Sequence, residues 1–177
     1  MKIKLSLIVA TFLLTIPVFT HCSGAEAKTK YAATAANDVL EAACQQAAKE
    51  SKLVFLKSGY PECGWCRIFD RYHKLPEVQK IIGKYYVVAV IDTENMPDGN
   101  AVFGKYAQPG APSWVVLTPQ KHVIVDSYAP TPDGNVGYPA RPSESAYYLA
   151  ALKKATPAIT DEELGILAQE LQKAMEK

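Results

Sequence analysis

Cysteine, histidine and methionine are all scarce in this sequence, with four, three and three in 177 residues. Only one pair of cysteines is spaced as Cys-x-x-Cys, Cys63 and Cys66. Without a second such pair there is no four-cysteine zinc site. No histidine follows Cys66, which excludes covalent haem attachment. Two thiolates alone can hold Cu(I), but no methionine cluster or paired histidines stand beside them. Charge of one sign is also lacking. The formal net charge is +1, which gives no reason to expect nucleic acid or an acidic membrane surface as partner. No apolar run reaches the roughly 20 residues a membrane-spanning helix needs. Repeats are absent, and 177 residues suffice for one domain with a full core.

The longest apolar run, Leu5 to Val18, follows Lys2 and Lys4 and precedes the small residues of Ala25-Glu26-Ala27. That is the pattern of a secretory signal peptide over 1–27. A retained anchor is one alternative. A lipoprotein attached at Cys22 is another, less favoured because His21 stands where a small residue is wanted. The expected mature protein lies outside the cytoplasm, in the periplasm, where disulfides persist. It carries Cys44, Cys63 and Cys66, an odd number that does not suit a disulfide scaffold.

Residues 28–36 are small and polar and read as a flexible lead-in to a single domain, 37–177. The periodicity predicts a helix from Asn37, capped by Asn37 itself, with Val39, Leu40, Ala43, Cys44 and Ala47 on one face. Cys44 there reads as a small buried hydrophobe. Leu53–Lys57 reads as a buried strand. Ser58-Gly59-Tyr60-Pro61 turns the chain into Cys63-Gly64-Trp65-Cys66, and a helix runs on to about Tyr72. Pro76 opens another helix. Tyr86–Asp92 reads as a second central strand and Asn100–Tyr106 as a short helix. Trp114–Leu117 and His122–Tyr128 form an antiparallel hairpin. Pro112 at the mouth of this strand suits a cis bond in a tight turn. A long Pro/Gly loop spans 129–143, of a length usually functional or mobile. A helix over 144–154 follows. A last helix, 160–177, starts at a Thr160–Glu163 capping box, with Leu164, Leu167, Leu171 and Met175 as its apolar stripe. Strands alternating with helices predict an α/β fold, a mixed sheet covered on both faces. The first cysteine lies at a helix N-terminus, which favours a thiolate, and the second lies about a turn later.

With Cys63-Gly64-Trp65-Cys66 opening a helix and Gly110-Ala111-Pro112 before an antiparallel hairpin, the chain resembles the thioredoxin superfamily over about Leu40–Lys154. Leu75-Pro76-Glu77-Val78 and Val90-Ile91-Asp92 fit its secreted thiol–disulfide interchange proteins. The resemblance implies a thioredoxin-like fold with extra N- and C-terminal helices. It implies Cys63 as attacking thiol, Cys66 as resolving thiol and Pro112 as the cis proline beside them. Ala111 would pair with an extended substrate, and Tyr60, Gly64 and Trp65 would shape the rim. The implied activity is thiol–disulfide exchange on exported proteins, with no cofactor beyond the redox-active pair and no metal. A membrane electron partner and a monomer are expected. A disulfide-donating oxidase, a copper-binding protein and a redox-inert binding module are the alternatives. The chain departs from the family in two places. Glu62 stands where thioredoxins often have Trp, and the strand before the motif carries no acid. Lys57 there reads as a solvated strand-end lysine, and His73 and His122 as surface or turn residues.

Overall fold

The computed structural model describes residues 34–130 and 134–176, so the expected signal peptide lies outside them. Four strands form one sheet in the order β2-β1-β3-β4. They are β1 (Leu53–Gly59), β2 (Tyr86–Asp92), β3 (Ser113–Leu117) and β4 (Val123–Asp126). β1 pairs parallel with β2, Leu53 opposite Tyr86 through Gly59 opposite Asp92. It pairs antiparallel with β3, Val54 opposite Leu117 through Ser58 opposite Ser113. β4 closes the antiparallel hairpin. Six helices accompany the sheet: α1 (Ala36–Glu50), α2 (Gly64–His73), α3 (Pro76–Tyr85), the short α4 (Gly99–Phe103), α5 (Pro142–Ala155) and α6 (Asp161–Met175). This is the thioredoxin-like architecture, a central mixed sheet with helices on both faces and added helices at each end.

Because β1 is central, its residues alternate between two buried faces. Val54 and Leu56 pack with Leu40, Ala43 and Cys44 of α1 and with Val115 and Leu117. Phe55 faces the other way, among rings of Phe69, Tyr86, Trp114 and Tyr148 at centroid distances of 5.7–6.4 Å. Such pairs add about 0.5–1.5 kcal/mol each beyond their buried area. Truncating Phe55 to alanine should therefore cost at least the ~3–5 kcal/mol usual for a buried aromatic.

Several boundaries differ from the sequence reading. α1 starts at Ala36, and Asn37 does not cap it. The carboxylate of Asp98 accepts from the N–H groups of Ala36 at 2.7 Å and Asn37 at 3.1 Å. A remote acid thus serves the orphan donors that a local Asn would have served. α5 begins at Pro142, inside the stretch expected to be loop. α6 has the expected Thr160–Glu163 capping box, but Met175 is 43% exposed. Leu167 and Leu171 are buried as expected, and Glu170 and Ala174 are buried beside them. His122 is exposed in the hairpin turn, while His73 is half-buried, with its ring Nε2 shielded from solvent. Its ring sits 4.5 Å from that of Phe69 and 5.3 Å from that of Phe55.

Candidate active site

β1 ends in Ser58-Gly59, and a turn closed by Cys63 N–H donating to the Tyr60 carbonyl (3.1 Å) delivers the chain to α2. Cys63 is the N-cap of that helix, with extended φ and ψ of −72° and 114°. Its Sγ takes the place a serine or aspartate oxygen usually fills, accepting from the Cys66 N–H at 3.1 Å. Cys63 and Cys66 are joined as a disulfide, both buried, at 8% and 4% exposure. An N–H aimed at sulfur at the positive end of a helix stabilises negative charge there once the pair is reduced.

Gly59 lies directly under Cys66. A Cβ on Gly59 would meet the Cys66 Cβ at 3.3 Å and its Sγ at 3.4 Å, so a larger residue would crowd the Cys66 sulfur.

The second wall is the loop before β3. The Ala111–Pro112 peptide is cis, and the Ala111 carbonyl oxygen lies 3.5 Å from Cys63 Sγ. A buried polar frame holds this loop. Ser58 Oγ donates to the Gly110 carbonyl at 2.7 Å and accepts from Ser113 N–H at 2.9 Å. Ser113 Oγ and Ser127 Oγ share a hydrogen bond of 2.8 Å, and Ser127 Oγ donates to Asn135 Oδ1 at 2.7 Å. Asn135 Nδ2 then donates to the Pro112 carbonyl at 3.1 Å. Trp114 Nε1 anchors the facing segment through the carbonyls of Val136 (2.8 Å) and Gly137 (3.1 Å). Each group is satisfied, and a fully satisfied buried network specifies one geometry.

Trp65 is half exposed and stacks on Tyr138 at 6.0 Å. The pair lines a groove of about 420 Å³ with Ala111, Pro112, Gly137 and Arg141. On the opposite side, a cavity of about 280 Å³ reaches Cys66 and Pro112, with Tyr60 and Pro61 at its rim. Cys63, Cys66, Ala111, Pro112, Tyr60 and Trp65 thus gather at one end of the sheet, while Gly64 opens α2 with free space around its Cα.

Lys57 corrects the sequence reading. It is 3% exposed, not solvated. Its Nζ forms an ion pair with Asp70 of α2 and lies 5.1 Å from the centre of the Phe69 ring. Burial pushes its pKa down, and Asp70 partly restores it. The sequence held a signal. A strand apolar on both faces from Val54 to Leu56 leaves no solvent side for its next residue, and Asp70 follows Cys66 by one helical turn. Ser58, Ser127 and Asn135 gave no signal of their own, because their partners are remote in sequence. Cys44 is buried at 4%, and burial raises its thiol pKa. Among the described residues no three His, Cys, Asp or Glu side chains gather as a metal site. No helix among them is long and apolar enough to cross a membrane.

Comparison with known proteins gives the family. Spermatogenesis-associated protein 20 of Mus musculus is 30% identical over 99 residues, covering 52% of this chain and 12% of the mouse protein. The Homo sapiens protein of that name is 31% identical over 99 residues, 52% of this chain and 13% of its own. An uncharacterized protein of Caenorhabditis elegans is 32% identical over 101 residues, 54% and 14%. The matched segment is thus a small fraction of these relatives. Among solved structures, a disulphide isomerase from Xylella fastidiosa Temecula1 superposes with a TM-score of 0.45 at 17% identity, over 92% of this chain and 99% of that one. A DsbH oxidoreductase gives 0.46 at 17%, over 66% and 80%. The sequence model of the Thioredox_DsbH family, described as protein of unknown function DUF255, matches residues 32–154. That span holds both cysteines, the cis proline and every strand of the sheet, and the chain belongs to this family.

Proposed function

We propose that the protein is a thiol–disulfide oxidoreductase acting on exported polypeptides through Cys63 and Cys66. One observation carries the reading. Cys63 Sγ sits at a helix N-terminus, receives the Cys66 N–H, and faces the Ala111 carbonyl of the loop before β3. Attacking sulfur, resolving sulfur and a backbone edge for an extended substrate are therefore in one place. Reduced Cys63 thiolate attacks a substrate disulfide, forms a mixed disulfide and expels one substrate thiolate. Cys66 thiolate then attacks Cys63 Sγ. The Cys63–Cys66 bond forms and the second substrate thiolate leaves, so two electrons pass to substrate.

The direction we favour is reduction or isomerisation, because Gly64 and Trp65 place no histidine between the cysteines. Such turnover outside the cytoplasm draws electrons from a membrane thiol–disulfide partner. The fit of residues 1–27 to a signal peptide supports a periplasmic site of action, and the protein works as a monomer. Two measurements test the reading. Equilibration in thiol buffers should give a two-electron transition near −250 mV, whereas a value near −120 mV would make the protein a disulfide donor. Cys66→Ala should trap polypeptides as mixed disulfides on Cys63. Absence of any reversible transition sinks the proposal.

A further inference from the structure

The two sulfurs are not provided for equally. Cys63 has the helix N-terminus and the Cys66 N–H. Cys66 sits inside the first turn, and no hydrogen-bond donor reaches its sulfur across the described contacts. It is also the more buried of the two. Burial alone opposes its ionisation, yet the second step requires a Cys66 thiolate.

The cavity behind Cys66 supplies the missing charge. Its lining includes Lys57 from β1, Asp70 from α2 and Asp92 from β2. Asp92 is already occupied, accepting from the N–H groups of Glu94 and Asn95 and from the Asn95 amide at 2.9–3.1 Å. Arg67 turns outward, donating to the Pro61 carbonyl at 3.0 Å. His73, close to Lys57, is held neutral, its pKa pushed down to about 3 by burial and by the lysine's charge. Lys74 adds a repulsive charge from the end of α2. Asp70 is paired with Lys57, but its side chain is 47% exposed, so water screens its field. The Lys57 side chain is 4% exposed, so water screens its field less than that of Asp70. The pair therefore presents a positive end inward, toward the cavity that Cys66 shares.

We propose, on the oxidoreductase reading above, that the Lys57 ammonium is the countercharge for the Cys66 thiolate. It acts as a positioning residue for the resolving step. In the mixed disulfide, Cys66 gives its proton to water in the cavity, and Lys57 holds the resulting thiolate charge. Cys66 Sγ then attacks Cys63 Sγ, the bond from Cys63 to substrate sulfur breaks, and the departing substrate thiolate takes a proton from solvent. No net proton is consumed. Asp70 keeps Lys57 charged in its buried position.

The test uses the reduced protein with ¹³Cβ-labelled cysteine, which separates Cys66 from the other cysteines by NMR. Lys57→Met should raise the Cys66 titration midpoint by one pH unit or more, about a tenfold loss of thiolate at neutral pH. The pH profile of mixed-disulfide resolution should move with it. Lys57→Arg, which retains the charge, should restore most of the shift. If Lys57→Met titrates with the wild type while the two-electron transition persists, the countercharge role is overturned and the oxidoreductase reading stands. If the wild type shows no transition, both fall. Should Lys57→Met fail to fold, the coupling is read in the wild type, because linkage is reciprocal. Reduction of the disulfide should move the Lys57 Nζ titration upward, and an unmoved titration overturns the proposal.

Discussion

Gly137→Ala tests whether the segment after β4 is part of the candidate active site's frame. A Cβ on Gly137 would lie 2.2 Å from the Pro112 carbonyl oxygen and 3.1 Å from its carbonyl carbon and Cγ. Real Cβ atoms essentially never come within 3.0 Å of another heavy atom, so the two backbones must separate by roughly 1 Å. Neither is free to move. The Pro112 carbonyl is held by Asn135 Nδ2, and the carbonyls of Val136 and Gly137 are held by Trp114 Nε1, whose ring is fully buried.

Overpacking of this kind costs about 1–3 kcal/mol, which for a domain of this size lowers Tm by about 3–10 °C. The displaced group is the cis proline beside Cys63, and a 1 Å misplacement at a reacting centre costs up to about 100-fold. The assay pairs thermal unfolding with turnover of a polypeptide disulfide and of a small disulfide. The variant should lose stability and lose polypeptide kcat/KM more than small-disulfide kcat/KM. A variant that melts with the wild type and turns over polypeptide normally would refute the clamp.

Gly165→Ala is the control. It lies in α6 with nothing within 4 Å of its added Cβ, so it should gain about 0.5–1 kcal/mol by thermal melt and leave turnover unchanged. Cys44 should resist alkylation in the folded protein and react only in denaturant, as followed by mass spectrometry, because burial both hides it and raises its pKa. His73 has a folded pKa near 3 against about 6.5 unfolded. Protonation therefore favours the unfolded chain. Its contribution is fully present above pH 6.5 and is lost as pH falls toward 3, at a slope of at most about 1.4 kcal/mol per pH unit. His73→Gln should flatten that slope in denaturant titrations across the window. An unchanged slope would show that the ring is not buried neutral.

How much of this was legible before the structure depends on range. Cys63 and Cys66 announce themselves because their chemistry needs only a three-residue spacing and a helix start. The strands announce themselves because β1, β2 and β3 are short, apolar and bounded by turns. Asp98 as a cap for α1 could not be read, since its partners are 61 and 62 residues away. The same holds for Ser58, Ser127 and Asn135, which look like ordinary loop and strand polar residues until the sheet brings them together. Lys57 escapes the sequence for a different reason. A lysine at a strand end is normally solvated, and only α2 packing across β1 denies it water. The composition of 129–143 predicts an irregular loop. Its described part holds a bridge between Tyr128 and Asn135 and the clamp on Pro112. Gly137 there serves close approach to Pro112.

The redox direction can be argued from the same contacts. A dithiol becomes a strong oxidant when its reduced form is stabilised. The span from about −270 to −120 mV corresponds to roughly 7 kcal/mol over two electrons. A hydrogen bond to a charged group contributes about 1.5–3 kcal/mol, so reaching the oxidising end takes several donors on the Cys63 thiolate. The described contacts supply one, the Cys66 N–H. Gly64 has no side chain to add, and the Trp65 ring is turned onto Tyr138. Lys57 adds charge behind Cys66, where it eases resolution more than it stabilises the attacking sulfur. The expected potential therefore lies in the lower half of the range. Placing a histidine at position 65 should raise it by tens of millivolts, and an unmoved potential would mean that the middle pair does not tune this dithiol.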